Sequence, residues 1–522
     1  MKRLTLIFSL LTFLFSLNEA HAALWMPSVF SEGMVLQQNS DCKLWGTATP
    51  GSVVEVKVSW NNQKKYVTAA SDGKWSITVS TPAGSYDPQS ITITETNGTS
   101  KKKSLPSGDG GHSEGGSFPI GESGDRGLRW GCFIGEVWLC AGQSNMEMPM
   151  KGYPSQPIEN GNMDILHSKD NALRLFTQKR TSLVEPTDST RGEWKAAEPV
   201  SVREFSATAY YFGRELRRML DVPVGLIVTA WGGSSCESWM NHETVKPFVN
   251  AGSPYQIPYK PEDIKSKNRQ PTVLYNGMLH PFIGYGIKGA IWYQGEDNAP
   301  RYQDYAQQMN AMVGLWRKQW GIGEFPFYYC QIAPYEYELI GWTVNSALLR
   351  EQQLIAEKLI PNTGMAVLMD AGIEKGIHPP KKNIAGERLA LLALVKTYGI
   401  KGVTAESARF KSMTVEDGAA ILEFENDKMN LYGKDSSFTS ELFELAGEDR
   451  VFHPAKMELH KRKFLKVWSE DVPNPVAVRY AFKNWADGDL FCDGLPVSSF
   501  RSDNWPVEEK KKEEKVEDYD KR

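Results

Sequence analysis

The most constraining feature of the sequence is an alternation of short apolar runs with helical patterns, which begins at residue 133. Five of the runs are typical of buried strands: Val137–Ala141, Val224–Ala230, Gly289–Tyr293, Phe325–Ile332 and Met365–Met369. The segments between them, such as SALLREQQLIAEKL, show the partial three-four apolar spacing of amphipathic helices. Strands that alternate with helices form parallel sheets covered on both faces. We therefore predict an α/β domain with a parallel sheet over residues 129–400.

The regions on either side of this domain have the pattern of β-structure. Residues 23–105 contain short strand-like segments separated by turns such as Pro50-Gly51, which favours a sandwich-like N-terminal domain. Residues 401–506 are predicted to be β-rich as well. Residues 106–128 are rich in Gly and Ser and predict a linker or loop. The charged tail at 507–522 is predicted to be disordered.

The first 22 residues have the three parts of a secretory signal peptide. A basic start is followed by an apolar run from Leu4 to Leu17 and by the small-residue pattern Ala20-His21-Ala22, which predicts cleavage after Ala22. A membrane anchor is the alternative, but the run is too short to span a bilayer comfortably. We expect an exported protein, periplasmic or extracellular, without a membrane anchor. The net charge of -4 favours neither a nucleic acid nor an anionic membrane as partner.

The cysteine pattern gives no sign of a metal or redox site. There are six cysteines in 522 residues and no C-x-x-C pair. Cys140, Cys236 and Cys330 lie at or near strand-like segments and are predicted to be packed thiols, while a pair between Cys132 and Cys140 stays open. No H-E-x-x-H motif, P-loop or G-x-G-x-x-G follows a strand. We expect neither a metal nor a cofactor.

Polar residues follow most of the predicted strands and point to one shared site. Ligands of open parallel sheets bind beyond the carboxyl ends of the strands. Ser144 follows the first strand, and it becomes a nucleophile only if a base removes its proton. His378 follows the last strand by several residues, directly before Pro379-Pro380, and is the candidate base. A lone histidine is otherwise most often a surface or core residue.

A nucleophilic serine also needs donors for the oxyanion that forms when it attacks a carbonyl. The candidates are the Ser144 backbone N–H, the backbone N–H of Gly232 or Gly233, and a side-chain amide from Gln294 or Asn298. The glycines are equally consistent with a tight turn, and buried amides are often structural ties.

Glycoside hydrolysis by Glu296 and Asp297 is a rival interpretation. Adjacent residues on an extended chain point in opposite directions, which weakens it.

Three segments carry a family resemblance: GEVWLCAGQSNMEM, WYQGEDNA and IHPPKKNIAGERLA. They resemble the sialate O-acetylesterases, a branch of the SGNH hydrolases, and the likeness runs from about residue 24 to 505. The resemblance implies a three-layer α/β/α hydrolase domain with β-rich flanking regions. It implies removal of O-acetyl groups from sialic acid or related sugars without a cofactor. By the same resemblance, Ser144 matches the nucleophile, His378 the base and Gly233 an oxyanion donor, while Gln294 or Asn298 matches the amide.

The sequence departs from the resemblance at the acid that orients the histidine. SGNH enzymes often place an aspartate two or three residues before it, where this chain has Gly376 and Lys375. The acid is then Glu374 or Asp370, or the site is a Ser-His dyad in which a backbone carbonyl orients the ring.

The leading hypothesis is a serine carbohydrate esterase that acts on O-acetylated sialic acid through an acetyl-enzyme. One alternative is an acetyl xylan esterase or other polysaccharide deacetylase. The other is a non-catalytic glycan-binding protein on the same fold.

Overall fold

The structure is a computed structural model that describes residues 24–96, 118–120, 125–425, 430–434, 439–460 and 464–507. The predicted signal peptide and the predicted disordered tail beyond residue 507 lie outside the described residues. The strands, in chain order, are β1 Met34–Gln37, β2 Asp41–Thr47, β3 Val53–Val58, β4 Lys64–Thr68, β5 Lys74–Ser80, β6 Ser85–Thr96, β7 Phe118–Ile120, β8 Asp125–Gly142, β9 Asp170–Thr177, β10 Trp194–Ala197, β11 Val224–Ala230, β12 Gly289–Tyr293, β13 Phe327–Cys330, β14 Thr363–Ala366, β15 Phe410–Glu416, β16 Ala419–Phe424, β17 Leu431–Gly433, β18 Phe443–Ala446, β19 Phe452–His460, β20 Phe464–Trp468, β21 Ala477–Tyr480, β22 Leu490–Cys492, β23 Leu495–Pro496 and β24 Phe500–Arg501.

The α-helices are α1 Ser144–Glu147, α2 Gly161–Leu166, α3 Pro199–Glu204, α4 Ala207–Leu220, α5 His242–Val245, α6 Tyr305–Trp320, α7 Ser346–Leu359 and α8 Lys382–Leu392. Short 3-10 segments lie at Cys236–Trp239, Lys246–Phe248, Pro261–Asp263, His280–Phe282, Glu296–Asp304 and Tyr337–Ile340, and π segments at Tyr275–Leu279 and Ala393–Thr397.

The central sheet follows the order β10-β9-β11-β8-β12-β13-β14. Its neighbours run parallel except for β10, which pairs antiparallel with β9 at one edge. Every residue of β11 and β12 is buried, as strands covered on both faces require. The sequence predicted all of these strands except β9 and β10. It missed β9 because Asp170, Asn171 and Arg174 interrupt its apolar residues.

Helices cover both faces of the central sheet, which confirms the predicted α/β/α architecture. Side chains alternate along β8, because successive residues of a strand point to opposite faces. Trp138 and Cys140 pack in a core with α4 and α8. Val137 and Leu139 belong to a second core that includes Met309 of α6 and residues of α7. All carboxyl ends of the parallel strands therefore open onto one edge, between the two helical layers.

Strand β8 is much longer than the sequence predicted, and it corrects part of the predicted linker. Its first half pairs antiparallel with β6, and its second half pairs parallel with β11 and β12. Residues 118–120 and 125–128 are therefore strand rather than linker. The Gly- and Ser-rich composition around them did not reveal this, because the strand character of 125–128 depends on pairing with β6, which lies much earlier in the chain, and 118–120 pair in turn with the start of β8. The rest of 106–128 lies outside the described residues.

Both flanking regions are built of strands. At the N-terminal side, β3, β4 and β6 extend the sheet from β8, and the pair β2–β5 shares a core with them. At the C-terminal side, a seven-stranded antiparallel sheet follows the order β15-β16-β20-β19-β18-β21-β24, beside the three strands β17, β22 and β23. All six cysteines are free and buried, so Cys132 and Cys140 are not paired. In the described ranges, no helix has the length and apolar character needed to cross a membrane.

Candidate active site

The chain turns sharply between β8 and α1, and this turn presents Ser144. Gly142 has a φ of +145°, and a Cβ placed on it would lie 2.2 Å from the Tyr293 carbonyl oxygen. Only glycine fits so close to the neighbouring strand. Gln143 is extended, and Ser144 then begins the short helix α1. The Ser144 side chain is half-buried, and its hydroxyl makes no hydrogen bond to any residue that the structure describes.

The loop after β11 packs directly against Ser144. A Cβ placed on Gly232 would lie 3.2 Å from Ser144 Cβ. The Gly232 N–H donates to Glu147 Oε2 at 2.8 Å, and Arg180 holds that carboxylate through two hydrogen bonds of 2.6 and 2.7 Å. The Gly232 N–H therefore already has an acceptor and is not available to an oxyanion. Gly233 has a φ of +66°, and its N–H has no acceptor within the described segments, so it is the glycine that remains as an oxyanion donor.

The side chains of the two candidate oxyanion amides are hydrogen-bonded within the protein. Gln294 Nε2 donates to Ser234 O (2.9 Å) and to Asn298 Oδ1 (2.8 Å), which uses both of its protons. Asn298 Nδ2 donates to Glu237 Oε2 at 3.0 Å. Both side chains are fully buried. They tie the loops after β11 and β12 together, and the oxyanion role of either amide stays a prediction.

The loop after β12 also separates the two carboxylates of the glycosidase alternative. Asp297 accepts from Arg269 Nε at 2.7 Å and also pairs with Arg301. Glu296 instead accepts from the Asn145 amide, whose oxygen accepts from Lys382 Nζ. Each carboxylate is buried with its own partners, so they do not form a clamp around a substrate.

The segment carrying His378 lies at the same edge of the sheet as Ser144. Asn145 Nδ2 donates to Ile377 O at 3.1 Å, which joins the residue after the serine to the residue before the histidine. Tyr153 contacts both neighbours: its hydroxyl donates to Ser144 O (3.4 Å), and its ring lies 5.1 Å from the imidazole. No hydrogen bond joins Ser144 and His378 side chains in the described part of the chain. Catalytic hydrogen bonds are often loose without substrate.

Burial sets the protonation of the groups behind the site. It lowers the pKa of His378 to about 4, and the charge of Lys382 adds to that effect. Burial likewise lowers the pKa of Lys382 to about 7, and the nearby Glu296 opposes this shift. Burial raises the pKa of Glu296 above its ordinary value. His378 is therefore a neutral imidazole at neutral pH, which is the state that a general base requires.

Neither candidate acid contacts His378. Asp370 forms a bidentate ion pair with Arg388, at 2.6 and 2.7 Å, and this pair fixes the chain after β14 to α8. Glu374 is exposed, and its backbone carbonyl accepts from the Glu336 N–H at 3.2 Å, while its carboxylate has no partner among the described residues. Instead, His378 Nδ1 lies 2.7 Å from Gln156 Oε1. Neither carboxylate bonds to the His378 ring in the described residues, and an orienting acid at Glu374 or Asp370 stays a prediction.

Sequence reasoning missed three residues of the site for different reasons. Asn145 lies next to the serine, and nothing in the sequence indicates that its side chain contacts Glu296 and Lys382. Lys382 lies four residues beyond His378, at the start of α8, and its lysine side chain gave no hint of full burial. Gln156 lies in a polar turn, and no pattern in the sequence connects it with a histidine more than 200 residues later.

The arrangement brings the Ser144 hydroxyl, the neutral His378 imidazole and the Gly233 N–H to one edge of the sheet, and a hydroxyl, an imidazole and backbone N–H donors are the groups that acyl transfer uses. Among the described residues no cluster of three His, Cys, Asp or Glu side chains could hold a metal ion.

Comparisons with known proteins agree with a site for acyl transfer. The profile of the family described as "Carbohydrate esterase, sialic acid-specific acetylesterase" matches residues 134–375. Sialate O-acetylesterase of Pongo abelii is 27% identical over 417 residues, which is 73% of this chain and 72% of that protein. The mouse protein of the same name is 24% identical over 508 residues, 87% of this chain and 88% of its own. The crystal structure of a carbohydrate acetylesterase from Xanthomonas citri superposes with a TM-score of 0.78 at 32% identity, covering 92% of this chain and 100% of its own.

Proposed function

This chain belongs to the sialic acid-specific acetylesterase family of carbohydrate esterases, and from that premise we propose that it hydrolyses O-acetyl esters of sialic acid. The observation that carries the proposal is the junction of the Ser144 turn with the His378 segment. Asn145 and Tyr153 bring the two together at the open edge of the sheet. A purely glycan-binding protein has no need of a serine and a neutral histidine held in this way.

The proposed reaction has two steps with one covalent intermediate. The Ser144 hydroxyl oxygen attacks the acetyl carbonyl while His378 Nε2 accepts the hydroxyl proton. The backbone N–H groups of Ser144 and Gly233 stabilise the oxyanion. The ester C–O bond breaks, the sugar hydroxyl leaves with the proton from His378, and the acetyl group stays on Ser144. A water molecule activated by His378 then releases acetate and restores the serine.

A cationic side chain beside the oxyanion donor supports a sialic acid as the sugar. A Cβ placed on Gly233 would lie 3.4 Å from Arg269 Nη2. Arg269 Nε is held by Asp297, and the side chain is 36% exposed, so the guanidinium can receive a ligand from solvent. A guanidinium binds a carboxylate with a planar pair of hydrogen bonds. Sialic acids carry a carboxylate, and neutral acetylated sugars do not.

The experiment compares acetate release from O-acetylated sialic acid, acetylated xylan and a chromogenic acetate ester. We expect the sialic acid to be the best substrate and Ser144→Ala to be inactive on all three. Arg269→Gln is expected to lose about tenfold or more in kcat/KM on the sialic acid alone, the scale of a charge-assisted hydrogen bond.

The same experiment distinguishes the two alternative functions, a polysaccharide deacetylase and a glycan-binding protein. Preference for xylan makes the protein a polysaccharide deacetylase, and an inactive wild type with intact glycan binding makes it a binding protein. Equal activity of the wild type and Ser144→Ala contradicts the proposed nucleophile.

We further propose that the protein is exported. The support is the signal-peptide pattern of residues 1–22. N-terminal sequencing of the mature protein tests it, and a chain that begins at Ala23 is expected.

A further inference from the structure

The hydrogen bond at His378 fixes which ring nitrogen carries the proton. His378 Nδ1 lies 2.7 Å from Gln156 Oε1. An amide oxygen has no proton to give, so Nδ1 carries the hydrogen and donates it. Nε2 is left with its lone pair, which is the form of imidazole that accepts a proton from a serine. In the part of the chain that the structure describes, no carboxylate accepts a hydrogen bond from this ring.

The turn that carries Gln156 is closed by its own backbone hydrogen bonds, and two further contacts join it to the histidine segment. Tyr153 and Gln156 exchange backbone hydrogen bonds of 3.1 and 2.9 Å across the turn. The Tyr153 ring packs edge-on against the imidazole. The Glu159 N–H donates to Pro380 O at 3.0 Å, which ties the following residues to the chain just beyond His378. Gln156 therefore belongs to a braced turn, although its side chain is exposed.

We propose that Gln156 is a positioning residue, which sets the tautomer and the orientation of the His378 ring in place of the acid of a Ser-His-Asp triad. The inference rests on the proposed function, in which His378 is the base.

An amide that orients the His378 ring differs from an acid because it adds no negative charge beside the imidazole. The charged groups around the ring are Lys382, which is linked to Glu296 through Asn145, and the Glu147–Arg180 ion pair behind Tyr153. None of these carboxylates bonds to the imidazole. Burial and Lys382 lower the pKa of His378 to about 4 from 6.5. The base then stays neutral as the pH falls, and activity is lost only near pH 4.

The test is the pH profile of kcat/KM for the wild type, Gln156→Ala and Gln156→Glu, with Glu159→Gln as a control on the same exposed turn. The wild type is expected to lose activity near pH 4. Gln156→Ala is expected to lose about tenfold in kcat, the scale of one hydrogen bond, with little change in KM. Gln156→Glu is expected to restore the hydrogen bond and to recover kcat at neutral pH. Its carboxylate raises the pKa of His378, so the acid limb should move up by about one to three pH units.

A thermal unfolding curve for each variant shows whether a loss of activity comes from unfolding or from a misplaced His378 ring. ¹⁵N chemical shifts of the wild-type imidazole report the Nδ1–H tautomer directly. An acid limb that does not move in Gln156→Glu, an unchanged kcat in Gln156→Ala, or an Nε2–H tautomer overturns the inference. If Ser144→Ala is inactive while the Gln156 variants behave as wild type, only this inference fails. If Ser144→Ala is active, the proposed function fails with it.

Discussion

Gly142 lies at the last position of β8, where the backbone passes close to the carbonyl of Tyr293 on the neighbouring strand. Replacement by alanine would add a Cβ 2.2 Å from that oxygen, at a φ of +145° that side chains rarely adopt. We expect Gly142→Ala to destabilise the protein by about 2–5 kcal/mol and to displace Ser144, with loss of most activity. Thermal or urea unfolding together with acetate release measures both effects.

Gly314 is the matched control, because it is exposed in the middle of α6 with open space around its Cβ position. Gly314→Ala is expected to stabilise the protein by about 0.5–1 kcal/mol, since alanine is the better helix former. Equal stability of the two variants would show that the turn at Gly142 tolerates a side chain.

The acidic residues before His378 give a second prediction at the residue scale. Asp370→Asn breaks a part-buried bidentate pair with Arg388 and is expected to cost about 1–3 kcal/mol of stability, without a large change in the kcat of the folded enzyme. Glu374→Gln is expected to change neither. Kinetics with unfolding curves check this, and a loss of kcat by orders of magnitude in either variant would identify an acid that acts on His378.

Buried hydrogen bonds connect three elements of the fold: α1, the segment after β12 and α8. Asn145 connects Glu296 from the loop after β12 with Lys382 at the start of α8, and all three side chains are buried. We expect Asn145→Ala to cost about 1–3 kcal/mol for each buried group left without a partner. kcat should fall as well, because the Ser144 and His378 segments lose their link through Ile377.

Asn171→Ala removes the same side chain from an exposed position on β9 and is the control for that prediction. Unfolding free energies and kcat are measured for both variants. An Asn145→Ala protein as stable and active as Asn171→Ala would show that the chain of hydrogen bonds is dispensable.

The strands around the site, and the residues that follow them, show why the sequence predicted the fold better than the site. The buried strands β11 and β12 are continuous apolar runs, and their bounds were predicted correctly. The sequence alone could not decide the roles of Gln294 and Asn298, because an amide near a strand end is compatible with either a ligand or a structural tie. Which of these holds depends on partners such as Ser234 and Glu237, which come from a different loop.

In the molecule as a whole, the buried guanidinium of Arg350 joins the C-terminal β-region to the central domain. Arg350 of α7 is fully buried and donates to Ser499 Oγ at 3.0 Å and to the carbonyls of Ala481 and Lys483. Arg350→Met leaves these acceptors without a donor. We expect it to destabilise the protein by about 3 kcal/mol or more, with the C-terminal region unfolding first.

Lys358→Met, on the same helix, removes an exposed ion pair with Glu425 and is expected to change stability by less than about 1 kcal/mol. Calorimetry of the two variants makes the comparison. Matching melting curves would mean that Arg350 does not hold the two regions together.

The proposed mechanism requires that Ser144 carries the acetyl group during turnover. The most direct measurement is mass spectrometry of enzyme quenched in acid during hydrolysis of a chromogenic acetate ester, followed by peptide mapping. We expect one acetyl group on Ser144 in the wild type and none in Ser144→Ala, which should also release no acetate above background. An acetyl group on another residue, or full activity in Ser144→Ala, would contradict it.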